Sequence, residues 1–243
     1  MTPSSDVDRE DASREDSSRE SELNRLGALA SSGADLQELV ALAARVLGVP
    51  KVAINLITDD HQHQLAAYGF DPGICTRADS MCAAVLTEPA PVVVPDARED
   101  DRFASNPFVT GEIGEVRFYA SAPLVTLRGV YVGRLCAFDD VPHADGLASP
   151  ETLAVLADRV VDILEMRAQA RELARTRARV TEFVNQVNHD IRNPLTALLA
   201  SVELLESEPA LTEVASLEEL ITRARRSGER ITALLDDLTP PPV

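Results

Sequence analysis

Residues 117–140 read RFYASAPLVTLRGVYVGRLCAFDD, and two strands separate out of this run. RFYASAPL (117–124) and VYVGRLCAFD (130–139) are rich in aromatic, β-branched and small apolar residues, with Leu127-Arg128-Gly129 as the turn between them. Both are apolar almost throughout, as strands covered on two faces are, so they belong at the centre of a sheet. Upstream, VVVP (92–95) reads as a buried strand closed by Pro95, and VAINLIT (52–58) as another. Asp59-Asp60 turns the chain into a further strand near Gln64–Tyr68. SMCAAVLTE (80–88) reads as a short helix capped by Ser80, and Asp96 to Phe108 as an acidic loop. Asp35 is the expected N-cap of an earlier helix, whose Leu36, Leu39, Val40, Ala43, Val46 and Leu47 repeat at helical spacing until Gly48 and Pro50. Helix, strands, short helix, strands and a closing helix from Ser149 make an α+β domain with a central antiparallel sheet.

Composition narrows the function classes. The 243 residues carry 40 acidic and 23 basic side chains, a net charge of −17. Phosphate recognition needs clustered positive charge, so no nucleic acid is expected as a partner. Anionic lipid is excluded on the same ground, and no uncharged run approaches the roughly 20 apolar residues that span a bilayer. The polar start is not a signal peptide, and a cytoplasmic protein that binds no membrane is expected. Residues 1–20 hold seven acids and three arginines with few apolar residues, and read as a disordered acidic tail. The three cysteines (Cys75, Cys82, Cys136) form no disulfide framework and read as reduced thiols, some of them buried. His61-x-His63 is too sparse a pair for a metal site, and none is expected. The arginines at 167, 171, 175 and 179 alternate with Glu165, Glu172 and Glu182 and read as a solvated, ion-paired face.

The succession VVPDA–DDRFASNP–RFYASAPL–G–LC–D resembles the second half of a GAF domain, and the resemblance covers about residues 22 to 166. It implies a five- or six-stranded sheet with helices on one face and a small-molecule pocket on the other. The pocket ligand varies across that family and is unknown here. Relatives that attach a bilin at the position of Cys82 carry His directly after the cysteine; here Ala83 follows, so Cys82 reads as core.

From Ser149, with Pro150 at the first helical position, no breaker occurs until Pro194. One heptad phase runs from Leu153 to Leu205, with a positions at Leu153, Val160, Leu195 and Val202 and d positions at Leu156, Ile163, Val184, Ile191 and Leu198. A second helix repeats the spacing from Val214 to Leu238 after a loop near Pro209. Such a hairpin leaves an apolar seam on each helix, and two copies pairing as a four-helix bundle would cover it. A homodimer is expected, with the chain ending in a short tail at residues 240–243.

His189 falls at a b position, outside the seam, where it is free to act as a nucleophile; Asp190 beside it can accept its Nδ1–H. His-Asp-Ile-Arg-Asn-Pro-Leu (189–195) resembles the phosphoacceptor box of sensor histidine kinases, whose usual form is His-Glu-Leu-Arg-Thr-Pro-Leu. The resemblance covers roughly residues 175 to 238. It implies that His189 is phosphorylated, that Asp190 is the general base or orienting carboxylate, and that Asn193 positions water for dephosphorylation. The domains are then a GAF-like sensor at 21–166, a signalling helix linker at 167–182 and a phosphoacceptor hairpin at 183–239.

No G-x-x-x-x-G-K-[ST] or G-x-G-x-x-G occurs in the sequence. Either the family's ATP-binding domain acts from a separate polypeptide and supplies ATP and Mg in trans, or the chain is a phosphotransfer intermediate or a truncated kinase; no cofactor is expected in this chain. The function implied is two-component phosphorelay: GAF sensing coupled to phosphoryl transfer through His189 to a response regulator receiver domain. The alternative is a non-enzymatic dimeric GAF ligand-binding adaptor with a vestigial phosphoacceptor box.

Overall fold

The computed structural model describes residues 4–30, 33–143, 147–207 and 214–238. The tail at 240–243 and the loop near Pro209 lie outside the described residues. The chain divides into two compact units between Arg171 and Glu172, a boundary that falls inside one helix.

The first unit is a six-stranded antiparallel sheet: β1 (Lys51–Ile57), β2 (His61–Tyr68), β3 (Ile74–Thr76), β4 (Val92–Val94), β5 (Phe118–Val125) and β6 (Tyr131–Asp139), in the order β3-β2-β1-β6-β5-β4. β1, β5 and β6 are the central strands, and their near-continuous apolar sequence follows from burial on two sides. On one face Val52, Ile54, Leu56, Phe118, Ala120, Ala122, Leu124, Leu135 and Ala137 pack beneath α1 (Ser4–Leu26), α2 (Ala34–Leu47) and the start of α5 (Pro150–Ser207). The opposite face carries α3 (Met81–Ala84), α4 (Pro107–Thr110) and the segments between them, with Val85, Leu86, Phe103, Val109 and Tyr119 as a second core.

Register sorts the central side chains. Ser121 pairs with Cys136, Tyr119 with Phe138 and Asn55 with Arg134, and directly opposed residues point to one face. That face is the one carrying α3. Gly133 permits the tight contact of β6 with β1: a Cβ there would run into the carbonyl oxygen of Asn55. Arg134, with no exposure to solvent, stands near the middle of the sheet. Its Nε donates to Ser121 Oγ at 2.9 Å, Nη1 to the carbonyls of Val85 and Glu88 at 2.6 and 3.0 Å, and Nη2 to those of Ala90 and Ser121 at 3.3 Å. The guanidinium thus ties the segment after α3 to the sheet. Burial pulls its pKa below the usual arginine value, and the carbonyl dipoles offset the lost water.

Three expectations need correction. Residues 4–26 are helical rather than a disordered tail up to residue 20. Mean composition missed the anchors in the helix's last turns: Leu23 and Leu26 enter the core, and Arg25 donates to both Glu22 and Glu165, with Nη2 2.7 Å from a carboxylate oxygen of each. Arg77 reaches Asp16 at 3.0 Å, and Arg171 donates to the carbonyl of Gly27 at 3.1 Å. Gly33, not Asp35, is the N-cap of α2; Asp35 instead accepts from Leu36 N in the first turn. The heptad phase from Leu153 is also not one continuous pairing seam. Leu153, Leu156, Val160, Leu164 and Ala168 are buried against the sheet, so this stretch of α5 is covered within its own chain.

The second unit is a hairpin of the rest of α5 with α6 (Val214–Leu238). The helices meet closely where Gly228 faces Leu198. Pro194 sits inside α5, where it cannot donate to the carbonyl of Asp190.

Two outcomes follow for stability. Arg134→Met removes the guanidinium donors to the carbonyls of Val85, Glu88 and Ala90 and should cost about 3 kcal/mol in urea unfolding; a loss below about 1 kcal/mol would show that these bonds do not hold the α3 segment. The Glu22 carboxyl lies below the usual glutamate value, chiefly through its hydrogen bond from Arg25, with burial opposing. A depressed carboxyl stabilises the fold above its unfolded pKa and loses that contribution as pH falls. The acid decline in Tm should therefore be shallower in Glu22→Gln than in the parent; parallel pH profiles would refute the pairing.

Candidate functional site

Two sites lie in the two units. In the first, β1, β2, β5 and β6 floor a cavity of about 210 Å³ that α3, α4 and residues 113–116 enclose. Phe70 and Phe138 form an aromatic wall with ring centroids 5.2 Å apart, and Phe108 and Val116 add apolar surface. At the rim Lys51 Nζ is 2.6 Å from Asp140, so its charge is paired. Ser80 caps α3 by accepting from Ala83 N at 3.0 Å, and its hydroxyl donates to Gln62 at 2.5 Å, fixing the helix at the cavity edge.

The deepest groups are polar. Asn55 Nδ2 donates to Cys82 Sγ at 3.1 Å and to Cys136 Sγ at 3.3 Å, and Tyr119 OH donates to Cys82 Sγ at 3.3 Å. The Cys82 and Cys136 sulfurs are in contact. Expected as separate reduced thiols, these two cysteines are a pair. Burial pushes the Tyr119 phenol above its usual pKa, so it remains a donor. Asn55 Oδ1 is buried against the cavity and finds no partner among the described residues. It is left to accept a hydrogen bond from whatever enters.

In the second unit His189 is exposed, with 69% of its side-chain surface open. Its Nδ1 lies 3.4 Å from Asp190 Oδ1, at the weak end of hydrogen bonding. Asp190 Oδ2 accepts from Gln186 Nε2 at 2.9 Å. That bond, then the one from His189, holds the Asp190 carboxyl below the usual aspartate value, with Arg230 adding a favourable charge. The carboxylate is thus ionised at neutral pH and oriented to accept from imidazole. Asp190, Asn193 and Pro194 line a groove of about 450 Å³ with Thr222, Arg226 and Arg230 of α6. His189 lines a different groove, running up α5 past Gln186, Asn185 and Glu182. The structure therefore brings His189 to Asp190, and Asn193 to Asp190 in the groove toward α6, with His189 and Asn193 one helical turn apart on α5.

Several contributors escaped the sequence reading. Gln186 stands four residues before Asp190, a helical pairing that spacing alone could have flagged. Arg226 and Arg230 needed the hairpin register. Asn55, Tyr119 and Cys136 share a face with Cys82 only through the strand register.

Comparison with known proteins places these sites in families. Residues 34–167 match the GAF domain, and residues 179–239 match the His Kinase A (phospho-acceptor) domain. A cyclic di-GMP phosphodiesterase of Pseudomonas aeruginosa is 37% identical over 147 residues, which is 59% of this chain and 23% of that protein's length. The chain thus spans about a quarter of that curated relative. Among solved structures, the GAF domain of an Acinetobacter phosphoenolpyruvate-protein phosphotransferase aligns with a TM-score of 0.45 at 16% identity, covering 63% of this chain and 97% of that one. A domain of a putative two-component sensor histidine kinase from Sinorhizobium meliloti aligns at 0.40 and 18% identity, covering 60% and 99%. The chain belongs to the GAF domain family, and with the His Kinase A phospho-acceptor domain that follows it carries the combination used in signalling of the sensor histidine kinase type.

Proposed function

We propose that the protein receives a small effector in the cavity of its first unit and carries a phosphoryl group on His189 of its second. The observation that carries this reading is the open imidazole of His189 beside a carboxylate that Gln186 holds in place. With Nδ1–H donated to Asp190, the Nε2 lone pair faces solvent and can attack phosphorus. The N–P bond forms as the bond from phosphorus to the donor's leaving oxygen breaks, and Asp190 stabilises the positive charge that develops on the ring. The donor is ATP with Mg on a catalytic domain acting in trans, and the acceptor is the aspartate of a receiver domain. Asn193, whose amide lines the groove beside Asp190, positions the water that releases phosphate. A cavity of about 210 Å³ is smaller than the roughly 300–1,000 Å³ of drug-sized pockets, which favours a compact effector with a donor for Asn55 Oδ1.

A second copy of the chain is the proposed partner of the hairpin. Val184, Leu195 and Val202 occupy seam positions, yet Leu195 is 43% exposed in one chain. Pairing would remove these side chains from water.

Incubation with a histidine kinase catalytic domain and ATP, or with a phosphorylated receiver, should place acid-labile phosphate on His189. Asp190→Asn should slow labelling by about 100-fold and His189→Ala should abolish it. Label that persists in His189→Ala overturns the assignment, and no label on the parent favours the ligand-binding adaptor. Sedimentation should give twice the chain mass, and Leu195→Asp should give the single chain. A parent that sediments as a monomer would remove the four-helix bundle.

A further inference from the structure

A free buried cysteine usually behaves as a small hydrophobe in apolar surroundings. The two sulfurs at the floor of the cavity are placed differently. Cys82 on α3 and Cys136 on β6 are 54 residues apart in sequence, yet their sulfurs touch. Two buried polar groups, the Asn55 amide and the Tyr119 hydroxyl, are directed at them. Both cysteines line the same cavity that leads to solvent, while Cys75 lies apart on β3. A thiol pair in contact, supplied with donors and lining a partly open cavity, has the parts of a redox site.

We propose that Cys82 and Cys136 are a reversible dithiol–disulfide couple that reacts with a peroxide entering the cavity. The two sulfurs have unequal surroundings. Asn55 and Tyr119 lie nearer Cys82 Sγ, at 3.1 and 3.3 Å, than Cys136 Sγ, at 3.3 and 3.6 Å, and Cys136 alone has the carbonyl of Arg134 beside it at 3.9 Å. Donors favour a thiolate, so Cys82 is the attacking sulfur and Cys136 the resolving one. The Cys82 thiolate attacks one oxygen of hydrogen peroxide. The O–O bond breaks, the other oxygen leaves as hydroxide, and Cys82 becomes a sulfenic acid after losing two electrons. Cys136 then attacks Cys82 Sγ; the S–S bond forms, and the S–O bond breaks to release a second hydroxide. The two thiol protons convert both hydroxides to water, so two thiols and one peroxide give one disulfide and two waters. An external dithiol reverses the step by exchange. The Cα atoms of the two cysteines stand 7.5 Å apart, so forming the bond draws α3 and β6, two walls of the cavity, together. This chemistry is independent of phosphoryl transfer at His189 and would stand if that transfer failed.

The test uses the full chain, reduced with dithiothreitol, freed of reductant and treated with stoichiometric hydrogen peroxide. Intact mass should fall by two hydrogens, and peptide mapping should link Cys82 to Cys136 with Cys75 still alkylatable. Cys136→Ser should stop at a sulfenic acid on Cys82 that a dimedone probe traps, and Cys82→Ser should give neither product. Tyr119→Phe keeps the ring and removes the donor, and should slow oxidation about tenfold. Free thiols at both positions after treatment would overturn the proposal, as would a link through Cys75. Dimedone labelling of Cys136 in Cys82→Ser at the parent rate would overturn the assignment of roles. Circular dichroism of each serine variant separates loss of the reaction from loss of the fold.

Discussion

A positive charge with no carboxylate partner among the described residues sits at the centre of the sheet, and the segment after α3 depends on it. Arg134 occupies a strand position whose neighbours on both sides are paired, so its side chain has only one face to enter. There it meets the carbonyl oxygens of residues 85, 88 and 90, in a segment outside helix and strand. A planar five-donor fork suits this scatter of acceptors better than a lysine's single ammonium would. The same strand presents Cys136 two residues later, so the group that ties down the segment after α3 and the group at the cavity's floor share one strand.

Much of this was legible from residues 117–140, because strands buried on both faces leave a long apolar record. The turn at Leu127-Arg128-Gly129 and the Ser80 cap were equally readable, each being a local rule written in a few residues. Features that depend on distant partners were not. α1 reads as a tail until Glu165, 140 residues further on, is set against Arg25. The heptad phase from Leu153 obeys the spacing of a pairing helix, yet a helix lying on a sheet needs almost the same period, and only the contacts tell the two apart. At the phosphoacceptor box the motif named His189, Asp190 and Asn193, but that Asp190 and Asn193 share a groove with Arg226 and Arg230 depended on how α6 lies along α5.

The two units also differ in how they use charge. In the first, some ions are matched in partly buried sets, Arg25 with Glu22 and Glu165 and Arg77 with Asp16, beside exposed pairs such as Arg159 with Asp162. In the second they remain at the surface, as with Arg223 and Glu219 or Arg225 and Glu229, and such exposed pairs add little stability. Packing of apolar residues must therefore dominate the hairpin.

The Arg25 bridge bears on where the sensory module begins. The family match starts at residue 34, after α1 has ended. A fragment cut at that boundary would retain Glu165, only 5% exposed, while discarding the cation that neutralises it, together with the leucines that roof the same part of the core. Excised sensor fragments intended for effector screening should therefore begin ahead of the helix, since the module's true edge is set by burial of a carboxylate and not by the limits of family similarity.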